Sequence, residues 1–98
     1  MKLRVALAQI NPTLGDLAGN ADLIARYVGA AQAECAALVV FPEMVLTGYP
    51  VEDLALRPSF RSASITAIAE LAKRLKLEGN GEITAVVGYL DQIADAPN

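Results

Sequence analysis

One carboxylate in this chain stands where acid–base chemistry could be done. Glu43 follows directly on A-L-V-V-F-P, residues 37–42. Leu38 to Phe41 is wholly apolar and rich in β-branched residues, as a strand buried on both faces would be. Pro42 cannot donate to a sheet ladder, so the strand ends there. Glu43 is thereby expected at the carboxyl end of a buried strand, the rim where open α/β sheets collect ligands and catalytic groups. A carboxylate on a dry rim is a stronger base than a solvated one, because burial disfavours its charged form. The chemistry open to a carboxylate there is proton transfer as a general acid or base.

Other reactive side chains have simpler expectations. Cys35, the only thiol, falls at helical spacing on an apolar face and is expected to be buried as a small hydrophobe. It precedes Glu43 and lacks the accessible, electropositive setting of a reactive thiol. Glu52 and Asp53 are adjacent, and neighbours in sequence seldom converge on one point, so loop solvation or capping is expected of them. Lys73, Arg74 and Lys76 suit the negative end of a helix dipole. With no histidine, no Ser-His-Asp or Cys-His unit can be assembled from these residues. One Cys and no His also make a structural zinc site implausible, and no metal site is expected. Neither G-x-G-x-x-G nor G-x-x-x-x-G-K-[ST] occurs, so no phosphate cradle is encoded.

The elements that must position Glu43 follow from periodicity. Leu3 to Ile10 reads as a first strand, and Asn11-Pro12 and Gly15-Asp16 punctuate the loop after it. Asn20 is the expected N-cap of a helix from about Ala21 to about Ala36, with Leu23, Ile24, Tyr27, Val28, Ala31 and Cys35 on one face. Leu38 to Phe41 is the second strand. Glu43 to Pro58 is a long loop, and Val45, Leu46, Tyr49, Leu54 and Leu56 make it too apolar for disorder. A second helix is expected from about Ser59 to about Leu77, burying Ile65, Ile68, Ala72 and Leu75. Gly79-Asn80-Gly81 stops it, Ile83 to Leu90 is a third strand, and Asp91 to Asn98 trails off polar. The order β-α-β-α-β predicts an α/β fold with parallel pairing through right-handed crossovers.

Composition bounds the partners. The 98 residues are 54% hydrophobic and carry 8 basic and 11 acidic side chains, a formal charge of −3. That balance argues against nucleic acid or an anionic membrane, both of which recruit clustered Lys and Arg. No apolar run approaches the roughly 18 residues of a membrane span. The opening residues lack the pattern of a secretory signal. A single cysteine fits a reducing, cytoplasmic setting. Three strands and two helices form half a layer system, so a piece of a larger protein, or a part needing a partner chain, is expected.

The motifs V-A-L-A-Q-I, L-V-V-F-P-E and L-T-G-Y-P, taken in order, resemble the carbon–nitrogen hydrolase (nitrilase) superfamily. The continuation G-Y-P-V-E-D-L-A-L-R-P-S-F is similar to the glutaminase domains of glutamine-dependent NAD⁺ synthetases, and the similarity spans Leu3 to about Leu90. The resemblance implies the N-terminal portion of an α-β-β-α sandwich, with residues 1–98 the first part of the glutaminase domain. It implies a Glu-Lys-Cys triad in which Glu43 is the general base, the Lys and Cys lying beyond residue 98. It makes Tyr49 a candidate pocket-lining residue near the glutamine or the ammonia exit, and implies an interface role for Glu52, Asp53 and Arg57 near domain or subunit contacts. Glutamine would be the substrate here, and this part would hold no cofactor. Deamido-NAD⁺, ATP and Mg would belong to a separate synthetase domain, the whole would form a homo-oligomer, and these residues alone would be inactive. A stand-alone nitrilase-family amidase is the nearest alternative, and a non-catalytic α/β module is the alternative should the chain end at Asn98.

Overall fold

The computed structural model describes residues 2–92. Strand β1 is Val5–Leu7, helix α1 Leu17–Ala33, strand β2 Leu38–Val40, helix α2 Pro58–Leu77 and strand β3 Thr84–Val86. A 3₁₀ helix, Glu52–Leu56, interrupts the long loop between β2 and α2. The sheet is parallel in the order β1-β2-β3, with β2 in the centre. This is the expected β-α-β-α-β order. From residue 93 on, the polar stretch expected after the third strand lies outside the described residues.

The strands are shorter than the apolar runs that encode them. Leu3, Ile10 and Leu90 belong to no strand, because hydropathy reports a tendency to be buried and not the length of a hydrogen-bonded ladder. Isolated bonds extend the pairing slightly: the Ala8 N–H donates to the Val40 carbonyl at 2.9 Å and the Phe41 N–H to the Val86 carbonyl at 3.2 Å.

Both helices lie on one face of the sheet, where they pack on each other. Ile24, Ala25, Val28 and Ala31 of α1 and Leu71 of α2 close over Val39 in one cluster, with Ala6 and Ala85 partly buried against it. Full burial of side chains such as Ile24, Val28 and Val39 contributes about 1.5–3 kcal/mol each. The period of two along a strand sends the flanking residues to the other face. Registers Val5–Leu38–Thr84 and Leu7–Val40–Val86 therefore line a face without helices. Leu7 is 71% exposed, and Val5 and Val86 are also exposed. The strands were expected to be covered on both faces, but these residues cover one.

Helix α1 begins earlier than expected. Asp16 is its N-cap, and its carboxylate accepts from the Gly19 N–H at 2.9 Å. Asn20, the expected cap, lies inside the first turns and is buried. Tyr27 is exposed. Cys35 is neither helical nor buried: it is exposed just past the helix end at φ 61°. In α2 the buried stripe is shifted by one position. Ser64 and Leu71 are buried, with Ala67, Ile68 and Leu75 partly so, while Ile65 and Ala72 are exposed. The small Ser64 lies against the segment after β3, its Oγ accepting from the Leu90 N–H at 3.0 Å, and the larger Ile65 turns outward. Among the described residues no helix is long and apolar enough to cross a membrane.

Candidate functional site

Glu43 stands just beyond the carboxyl end of the central strand, as the Pro42 stop required. It opens a turn over residues 43–47. The Gly48 N–H closes that turn on the Met44 carbonyl at 2.8 Å, and the Thr47 hydroxyl donates to the Gly48 carbonyl at 3.1 Å. Met44 has φ 58°, in the left-handed region that an L side chain rarely adopts. Val45, Leu46 and Thr47 are completely buried. The apolar loop is thus folded inward at its start, which accounts for a composition too rich in Val and Leu for a solvated connection.

Three segments grip this turn. From α1, the Asn20 amide donates to the Leu46 carbonyl at 2.9 Å and to the Thr13 carbonyl at 2.8 Å, and accepts from the Thr13 N–H at 2.8 Å. From the loop after β1, the Gly15 N–H donates to the Thr47 carbonyl at 2.8 Å. From the segment after β3, the Gly88 carbonyl accepts from the Leu46 N–H at 3.3 Å. In the sequence Asn20 reads as an N-cap; the signal for this other role is a polar residue at helical spacing from Ile24, Val28 and Ala31, on the stripe that should be apolar.

The dry setting expected for Glu43 is not built by these residues, since its side chain is exposed. The physical reason is the bare second face of the sheet: among the described residues no layer crosses the end of β2 to exclude water. Tyr49 is 74% exposed on the same loop, after Gly48 at φ 82° and before a cis bond to Pro50. Glu52 and Asp53 lie in the first turn of the 3₁₀ helix and are exposed, as expected of a solvated pair. Arg74 bridges Asp22 of α1 and Glu78, at 2.9 Å from the latter, so it ties the two helices together. These partners raise its pKa, the Asp22 hydrogen bond most. A groove of about 630 Å³ runs between α1 and α2 past Leu17, Ala21, Ala67, Leu71 and the Asp22–Arg74 pair, and Glu43 does not line it. Among the described residues no three His, Cys, Asp or Glu side chains come together as metal ligands.

A parallel layer that lifts one carboxylate above the end of its central strand, on an F-P-E turn, is the opening of a carbon–nitrogen hydrolase, and the match to that family covers residues 4–92. The chain belongs to the carbon–nitrogen hydrolase family. Its relatives are narrower in kind. It is 40% identical over 97 residues to the glutamine-dependent NAD⁺ synthetase of Thermotoga maritima and 45% identical over 74 residues to that of Rhodobacter capsulatus. The Thermotoga alignment takes in 99% of this chain and 16% of that protein, so the chain spans about a sixth of the relative's length. Among solved structures, the glutamine-dependent NAD⁺ synthetase of Cytophaga hutchinsonii superposes with a TM-score of 0.81 at 27% identity, over 94% of this chain and 15% of that one. The Acinetobacter baumannii enzyme, solved with adenosine diphosphate, gives 0.78 at 31% identity over 96% and 17%. The expected fold, the opening layer of the nitrilase-type sandwich, is therefore the observed one.

Proposed function

We propose that this chain is the first part of the glutaminase domain of a glutamine-dependent NAD⁺ synthetase, with Glu43 as its general base. The observation that carries the reading is the F-P-E turn at the carboxyl end of β2, in a chain aligned almost throughout with synthetases of that kind. Glu43 takes the proton of a cysteine thiol that lies later in the domain. The thiolate adds to the side-chain amide carbon of glutamine, and a lysine, also from later in the domain, stabilises the oxyanion. Ammonia leaves with the proton returned to it, and water then cleaves the thioester to release glutamate. The ammonia serves an ATP-dependent amidation of deamido-NAD⁺ in a separate domain, where ATP and Mg are bound. Tyr49, exposed beside the turn, forms part of the wall of the glutamine pocket.

The exposed face of the sheet supports the same reading. Val5, Leu7, Leu38, Val40 and Val86 offer an apolar floor for the second sheet of the sandwich, and the layer seated there also dries the surroundings of Glu43. The reaction and the single unpaired thiol fit a cytoplasmic protein, and the resemblance supports a homo-oligomer. These residues alone hydrolyse no glutamine, because they bring neither the lysine nor the cysteine to Glu43.

The test separates ammonia supply from ammonia use. In the full-length protein, Glu43→Gln is expected to lower glutamine-dependent NAD⁺ formation by about 100-fold or more, the contribution of a positioned base. Synthesis with added ammonium salt is expected to persist. A parallel fall of both rates would overturn the assignment of Glu43.

A further inference from the structure

We propose that Asn20 is a positioning residue for Glu43, acting through the backbone of the turn that carries it; the inference rests on the reading of Glu43 as general base. Among the described residues the Glu43 carboxylate makes no hydrogen bond, so within them only the backbone of the turn places it, by fixing the Cα–Cβ bond from which the side chain extends. That backbone is strained. A non-glycine residue in the left-handed region, as Met44 is, costs about 1–2 kcal/mol and persists only where the surroundings over-determine it. Asn20 supplies much of that determination. It is 2% exposed, and both amide hydrogens and the amide oxygen are engaged, two bonds to Thr13 and one to Leu46. A single side chain on the rigid first turns of α1 therefore locks the loop after β1 to the turn after β2.

The geometry also shows why the amide is needed. Both Thr13 and Leu46 present carbonyl oxygens that require donors, while the Thr13 N–H requires an acceptor. Only a planar amide of this length meets all three. Aspartate has the same shape but keeps only the acceptor, and sets an oxygen against two carbonyls. Releasing Leu46 frees the turn to relax about Met44 and swings the carboxylate away from its proton donor. Misplacement of a catalytic group by about 1 Å can cost roughly 100-fold in rate.

The experiment uses the full-length protein and the variants Asn20→Asp, Asn20→Ala and Glu43→Gln, alone and combined. Kinetics are read with glutamine and with ammonium chloride as nitrogen sources. The expected result for Asn20→Asp is a glutamine-dependent kcat at least 10-fold lower, KM for glutamine within twofold, and an unchanged ammonia-dependent rate. In the Glu43→Gln background the same change is expected to lower kcat no further, because the group it positions is already gone. Unchanged kcat in both Asn20 variants, or loss of both activities in both, overturns the positioning role. If Glu43→Gln alone leaves glutamine-dependent kcat intact, it is instead the reading of the site that fails.

Discussion

Cys35 and Glu43 stand at opposite ends of the central strand. Glu43 follows the carboxyl end of β2, whereas Cys35 precedes its amino end, two residues before Ala37, whose N–H donates to the Arg4 carbonyl at 2.9 Å. The only thiol of the chain is thus separated from the only candidate base by the length of the sheet. What Cys35 does instead is close a helix. Its N–H donates to the Gln32 carbonyl at 2.9 Å, and the Ala36 N–H to the Ala31 carbonyl at 3.0 Å. Helix α2 ends in the same way, with the Gly79 N–H on Lys76 at 3.2 Å and the Asn80 N–H on Leu75 at 2.8 Å. This paired closure places one residue in the left-handed region, where glycine is preferred.

The comparison yields a stability prediction. Cys35 sits at φ 61° and Gly79 at φ 82°. Cys35→Gly is expected to stabilise the domain by roughly 1 kcal/mol, because the steric penalty of a Cβ at positive φ disappears. Glutamine-dependent turnover should be unchanged. Urea denaturation checks the first expectation and steady-state kinetics the second. Loss of glutamine hydrolysis in this variant would place Cys35 at the chemistry and contradict its position in the fold.

The parts of the fold that could be read from sequence are those where one local signal acts alone. Pro42 fixes the end of β2, and with it the place of Glu43. Pro58 and Gly79 bracket α2 within one residue of the expected ends. The misreadings fall where two local signals compete. Asp16 and Asn20 are both good N-caps, and the choice is made by Asn20's buried contacts to Thr13 and Leu46, which are long-range in sequence. Cys35 continues an apolar stripe on paper, yet the chain must turn there to reach β2. The exposure of Glu43 has a different origin. An apolar run states that a strand seeks cover, and Leu7 and Val86 show that cover on one face is not supplied by the neighbouring sequence.

Ser64 provides a second test of the helix–sheet contact. It is fully buried in α2, and its Oγ accepts from the Leu90 N–H at 3.0 Å. The bond anchors the segment that continues from β3 past Gly88, whose carbonyl in turn holds Leu46. Ser64→Ala removes the acceptor and leaves a part-buried donor unpaired, at a cost of about 1–3 kcal/mol. A lower urea midpoint is the expected outcome. An unchanged midpoint would mean that water replaces the hydroxyl and that the contact contributes nothing.

Gly48 separates backbone strain from steric exclusion beside the site. Its φ of 82° already disfavours any Cβ, and an ideal Cβ there would lie 2.5 Å from the Leu14 Cα and 2.7 Å from the Leu14 nitrogen. Both atoms are main chain, so the loop after β1 would have to retreat from the turn that carries Glu43. At Gly79 the φ is the same and a Cβ meets nothing within 4 Å. Gly79→Ala is therefore expected to cost roughly 1 kcal/mol from conformation alone, and Gly48→Ala that amount plus the displacement of Leu14. Because Gly15 and Asn20 fasten the same loop to the same turn, the displacement should reach Glu43. In the full-length protein Gly48→Ala should lower glutamine-dependent turnover while sparing ammonia-dependent synthesis, and Gly79→Ala should alter neither. If the two substitutions prove equal in urea midpoint and in the ratio of the two activities, the close approach of Leu14 and Gly48 has no part in holding the turn.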